Sequence, residues 1–263
     1  MSQDHPPRPK LSLGAAASET GRLLPGVWSG ARYALGLWAG IGVAGVFLAG
    51  GVAGAVMAGL GAVAALVAIG AVLRVGVADD LVGARALGLG PGGLQVGLPE
   101  MRLLGAFALC LLFWAIVASL VGLTVLALFG GAELDVAAIR ARDWGAVGPA
   151  WRVAVVAVVG IGAILVPLML AARLSLAGPA TVAQGRMVSL PAMAISRANV
   201  LPLMAGIILY ALPGLILIGA FAGLGGRVAG IVSAIAVPWV LVPMVLTFLG
   251  VVYRRVRIEQ DAT

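Results

Sequence analysis

Apolar positions in this chain gather into long uninterrupted runs, and the charged residues are confined to the gaps between them. The first run covers 33–73, roughly twice the ~20 residues that one helix needs to cross a bilayer. Two helices must share it, and the glycine-rich AGGVAGA around Gly50, Gly51 and Gly54 predicts a tight turn between spans at 33–49 and 53–73. Further runs predict spans at 103–129, 153–172, 201–224 and 228–252. The pattern predicts an all-α fold: a polytopic transmembrane helix bundle of about six spans with short interfacial helices. It fills 11–263 as a single transmembrane domain behind a disordered cytoplasmic tail at 1–10. The tail, MSQDHPPRPK, has no apolar core ahead of a cleavage site and does not read as a signal peptide.

Local signals fill in the connections. Ser12 reads as the N-cap of a short interfacial helix with Leu13, Ala16, Ala17, Thr20 and Leu24 at helical spacing, ending at Pro25 and Gly26. Between the second and third spans, Asp79 reads as the cap of one short helix, GLGPGG breaks any longer one, and Pro99 sits where a first-turn proline is tolerated. Before the fifth span, Ser189 reads as an N-cap with Pro191 just inside its helix. Pro167, Pro213, Pro238 and Pro243 remove backbone hydrogen bonds within the later spans, which predicts kinks.

Composition sharpens this picture. Hydrophobic residues make up 62% and charged residues 10%, against about 25% charged in a soluble domain, so no water-soluble fold could hide the apolar surface. The 39 Gly suit close helix packing in lipid. The net charge of +7 does not point to nucleic acid, because the basic residues are scattered between apolar runs and form no basic stripe. They do report topology: thirteen fall on the side of both termini and four on the other, which predicts both termini in the cytoplasm. Trp28, Tyr33 and Tyr253 at one boundary and Trp144 and Trp151 at the other suit aromatic belts, while Trp114 and Trp239 fall deeper as packing residues. The single cysteine, Cys110, lies in an apolar run, and the single histidine, His5, in the polar tail, so no disulfide framework or thiolate metal cluster is expected.

Candidate chemistry is sparse. None of the predicted spans contains a charge, which disfavours a proton path or a charged-substrate site at the midplane. There is no HExxH, GxSxG or Walker loop, and no cofactor or metal site is expected; the chain reads as a non-enzyme. GLGPGG follows no strand and carries no Lys with Ser or Thr, so it reads as turn glycine and not as a phosphate cradle. Arg74, Arg102, Arg173 and Arg197 each stand at a span boundary on the predicted cytoplasmic side. Guanidinium groups there can grip lipid headgroup phosphate bidentately, or can simply snorkel and set orientation. The expected partners are membrane lipids, and a membrane protein or second copy; nucleic acid is not among them. The expected function is action through lipid or protein contacts, with transport of a small neutral or amphipathic substrate as the alternative.

The run ARLSLAGPATVAQGRMVSLPAMAISRANVLPLMAG carries Arg173, Pro179, Arg186, Arg197 and Asn199 in an order that resembles the membrane domain associated with glycerophosphoryl diester phosphodiesterases and uncharacterised bacterial inner-membrane relatives. LQVGLPEMRLLGAF and KLSLGAAASETGRLL look like their Gly, Glu and Arg element and their amphipathic opening, although Val200 stands where a bulky aromatic is usual. The resemblance implies a six-helix bacterial inner-membrane protein. It does not imply the phosphodiesterase reaction, which belongs to a separate soluble domain.

Overall fold

A computed structural model describes residues 12–132, 134–143, 145–196 and 199–261, with side chains as far as 258. The tail at 1–10 with His5, together with Trp144 and Arg197, lies outside the described residues. The described chain is all-helical without strands, and six helices are long and apolar enough to cross a membrane. It is a multi-pass membrane protein.

The chain divides into two compact units, Met1–Phe107 with Arg173–Thr263, and Ala108–Ala172. The first is built on an antiparallel pair, α1 (Leu13–Phe47) and α2 (Gly51–Ala78). Their turn falls at the expected glycines, with Gly50 at φ 114° and Gly51 at φ 55°, angles that side chains with a Cβ rarely adopt. Val27, Ala31, Ala34 and Leu35 of α1 pack on Val67, Ala68, Ala71, Val72 and Val75 of α2 to form the core. Positions 40–63 hold no buried residue; near the turn, the apolar side chains face outward as lipid allows.

The amphipathic opening is not a separate interfacial helix. Ser12 caps it as expected, accepting from the Ala15 N–H at 3.5 Å, but α1 continues through Pro25 to Phe47. An interior proline costs a helix about 3 kcal/mol. Here Pro25 is exposed, while Leu23, Leu24, Val27 and Ala31 are buried on the opposite face. Packing on both sides of the proline outweighs the lost hydrogen bond and holds the helix together.

The connection after α2 also departs from expectation. Asp80, not Asp79, caps α3 (Leu81–Ala86), its Oδ1 accepting from the Gly83 N–H at 2.6 Å. Asp79 ends α2 in a left-handed conformation, φ 74°. The GLGPGG segment then folds back onto the α1–α2 pair. Gly93, at φ 85°, lies so near α1 that a Cβ would stand 2.8 Å from the Ala31 Cα, and Gly92 abuts the Tyr33 ring. Gln95 donates from Nε2 to the Val67 carbonyl at 3.3 Å, about 16 Å along α2 from its end at 1.5 Å per residue. The glycines of this loop serve close approach as well as turning.

The unit is completed by α7 (Ala177–Gln184), α8 (Ala192–Ile195), α9 (Val200–Ala222), α10 (Gly226–Ala236) and α11 (Val242–Asp261). Ser189 does not cap α8 with its side chain; its carbonyl accepts from the Ala192 N–H at 3.0 Å. The sixth span is interrupted by a π-helical turn, Val237–Leu241, at Pro238. Pro243 has no N–H to offer the Trp239 carbonyl four residues earlier, and the Trp28 indole donates to that oxygen at 3.0 Å. Trp28→Phe is expected to cost about 1 kcal/mol, read as a lower unfolding temperature in mild detergent. An unchanged temperature would mean that the bond contributes nothing.

The second unit holds the greater part of α4 (Leu98–Gly131) and α6 (Ala150–Leu174) with α5 (Val136–Ala141) between them. Asp135 caps α5, its Oδ1 accepting from Ala137 and Ala138 at 2.8 and 3.1 Å. Trp114 donates to the Pro167 carbonyl at 2.9 Å, which fits its reading as a packing residue. Leu111, Leu120, Leu123, Leu126, Val158, Ile161 and Ile164 are exposed, an outward apolar surface for lipid.

Candidate basic cleft at the terminal end

The start of α1 and the end of α11 meet at one end of the first unit. Arg254 and Arg255 both pair with Glu19, Arg255 at 2.5 Å. Arg254 also stands 3.0 Å from Asp79 Oδ1, as an ion pair outside hydrogen-bond geometry, and Arg22 reaches Asp79 at 3.3 Å. The Arg22 pair is exposed and worth little by itself. The clamp on Glu19 is mostly buried and ties the two helix ends together.

Beside this clamp lies a cavity of about 530 Å³, within the roughly 300–1,000 Å³ usual for small-molecule sites. Two elements build it. α7 ends at Gly185, whose φ of 60° turns the chain so that Gln184 and Arg186 flank the opening. α11 brings Tyr253 and Arg257 to one face by their i, i+4 spacing, with Arg254 one position round. A second cavity of about 380 Å³ shares Gln184, Arg186, Tyr253 and Arg257 and extends over Met187, Val188, Pro191 and Ile195.

A chain of hydrogen bonds runs through the shared wall. Arg186 Nε donates to Gln184 Oε1 at 3.0 Å, and Gln184 Nε2 donates to the Tyr253 hydroxyl oxygen at 3.2 Å. Arg257 Nη1 donates to the same oxygen at 3.0 Å. Tyr253 is 2% exposed. A third cavity, about 330 Å³, lies by the same helix end and is lined by Arg74, Arg102, Thr181 and Gly185 among others. Five arginines thus line three adjoining spaces around the end of α7.

The arginines singled out at span boundaries, for headgroup phosphate or for snorkelling, have different surroundings in the structure. Arg74 is a correction: it is no boundary snorkel but is buried, its Nη2 paired with Glu100 Oε1 at 2.6 Å and its Nε donating to the Leu87 carbonyl at 3.0 Å. Gly70 makes room for it, since a Cβ there would stand 3.0 Å from Nη1 and 3.4 Å from Glu100 Oε1. The sequence concealed this pair because both partners lie just outside the apolar runs, where exposure is the default. Arg102 is exposed and donates from Nη1 to the Gly185 carbonyl, bracing the end of α7. Arg173 donates to the Met193 carbonyl at 3.2 Å and holds the segment around α8. Arg197 lies outside the described residues.

Sequence reasoning missed Arg186, Arg257, Tyr253 and Gln184 as a group. The spacing of Tyr253 and Arg257 was legible, but Gln184 and Arg186 reach them only through the docking of α7 on α11. No known family, no curated protein and no solved structure matches this chain.

Proposed function

We propose that this is a non-enzymatic integral protein of a bacterial inner membrane, with both termini cytoplasmic, that acts through lipid contacts at its basic end as an accessory to envelope lipid handling. The observation that carries this reading is the convergence of guanidinium groups on adjoining cavities at the end where the helix termini meet. Phosphate is the chemistry that such groups recognise best, because their planar forks match its oxygens. The excess of basic residues on the same side supports its placement in the cytoplasm, facing an anionic leaflet. The likeness of 172–206 to the membrane domain named above supports the bacterial inner membrane as its site.

The test is the lipid that stays with the protein. Native mass spectrometry after extraction in mild detergent is expected to find anionic phospholipid enriched over the surrounding membrane. Retained lipid of bulk composition would sink the reading. A transport role would rest instead on the π-helical break at Pro238 in the sixth span, and it predicts flux of a small neutral or amphipathic solute in proteoliposomes holding this chain alone.

A further inference from the structure

The hydrogen-bond chain in the cleft ends on an unmet need. The phenolic oxygen of Tyr253 accepts from both Gln184 and Arg257, which fills its two lone pairs. Its own hydrogen has no acceptor among the described residues, and it belongs to a residue 2% exposed that lines both cavities. Gln184 cannot accept it, because its Nε2 faces Tyr253 and its Oε1 is occupied by Arg186. Arg186 donates from Nε to Gln184 and lines the same cavity. A hydroxyl donor that opens on cavities lined by the guanidinium groups of Arg186 and Arg257 suits an oxyanion.

The second cavity says what carries that oxyanion. Besides Gln184, Arg186, Tyr253 and Arg257, its lining takes in Met187, Val188, Pro191 and Ile195, residues without charge. A phosphate ion held by the polar residues would leave these four uncovered, whereas the apolar part of an amphiphile would lie on them.

We propose that the cleft seats the phosphate of a membrane amphiphile: Tyr253 donates its hydroxyl hydrogen to one phosphate oxygen, Arg186 and Arg257 flank the others, and the apolar part runs along the 187–195 segment. This deepens the lipid reading above and rests on it, because it names the group recognised and the residues that recognise it. Arg254 stays with Glu19 and Asp79 and forms the wall of the site, not its grip.

The experiment uses the full chain in phosphatidylcholine nanodiscs doped with phosphatidic acid bearing a photoreactive acyl chain. Crosslinks are expected on the 187–195 segment and to be competed by unlabelled phosphatidic acid. Tyr253→Phe keeps the ring and deletes one donor to a charged acceptor, and is expected to weaken binding about tenfold. Because Tyr253 is buried, exposed Arg186→Gln serves as the variant that leaves the packing alone, with a similar loss expected. Equal competition by inorganic phosphate would overturn the amphiphile, and labelling indifferent to both variants would overturn the site. If labelling is indifferent to both variants while the wild-type protein still retains enriched anionic lipid, the cleft fails and the broader lipid reading stands. If wild-type protein retains only bulk lipid, the broader reading fails as well.

Discussion

Glu100→Gln is expected to destabilise the protein by about 3–5 kcal/mol, the cost of leaving a buried charge without its partner. The substitution preserves shape, yet it leaves the Arg74 guanidinium, 2% exposed, without the carboxylate that stands 2.6 Å away. A further feature raises the cost: Arg74 Nη1 is already buried with no hydrogen-bond partner among the described residues. The measurement is unfolding of the detergent-solubilised protein by added sodium dodecyl sulfate, followed by helical circular dichroism. Combining Arg74→Met with Glu100→Gln should recover much of the loss, since a buried pair exchanged for neutral groups is often nearly neutral in stability. A double variant as unstable as the single one would show that the damage lies in packing and not in the unpaired charge.

Gly250→Ala is expected to cost about 1–3 kcal/mol in the same assay. A Cβ at this position would stand 2.7 Å from the Gly76 carbonyl carbon and 2.9 Å from its Cα and oxygen, all backbone atoms of α2. No rotamer change can relieve that contact, so α2 and α11 must move apart along their shared surface. Gly219→Ala is the control, because a Cβ there meets nothing within 4 Å. That change should be neutral or stabilising by up to about 1 kcal/mol, the gain in helix propensity. Equal effects at the two positions would mean that the Gly76–Gly250 contact is not tight. Separating α2 from α11 also reaches the cleft, because Val77, next to Gly76, lines it together with Tyr253 and Arg254.

Between them these substitutions mark where local signals stop being enough. Pro25 shows the limit from one side: a proline and a glycine in series are a sound stop signal, yet α1 runs through them because the buried face continues beyond. Asp79 and Asp80 show it from another. Either could cap a short helix, and the ion pairs from Arg22 and Arg254 hold Asp79 at the end of α2 while Asp80 takes the cap. The span-boundary arginines show it for the site. Arg74 and Arg102 carry the same boundary signal in sequence, but one is inside a buried pair and the other braces a helix end.

That the chain spans a membrane, in how many helices, and where the first hairpin turns can all be read from the order of its residues. The reason is that lipid imposes a length and a polarity on every span, and each is satisfied within its own segment. Which charges are buried, how the GLGPGG loop folds back on α1, and which residues share the cleft emerge only once the helices pack. Those outcomes depend on contacts between positions far apart in the chain, Arg74 with Glu100, Gly93 with Ala31 and Gln184 with Tyr253, and no local pattern of polar and apolar residues encodes which distant partner a side chain will meet.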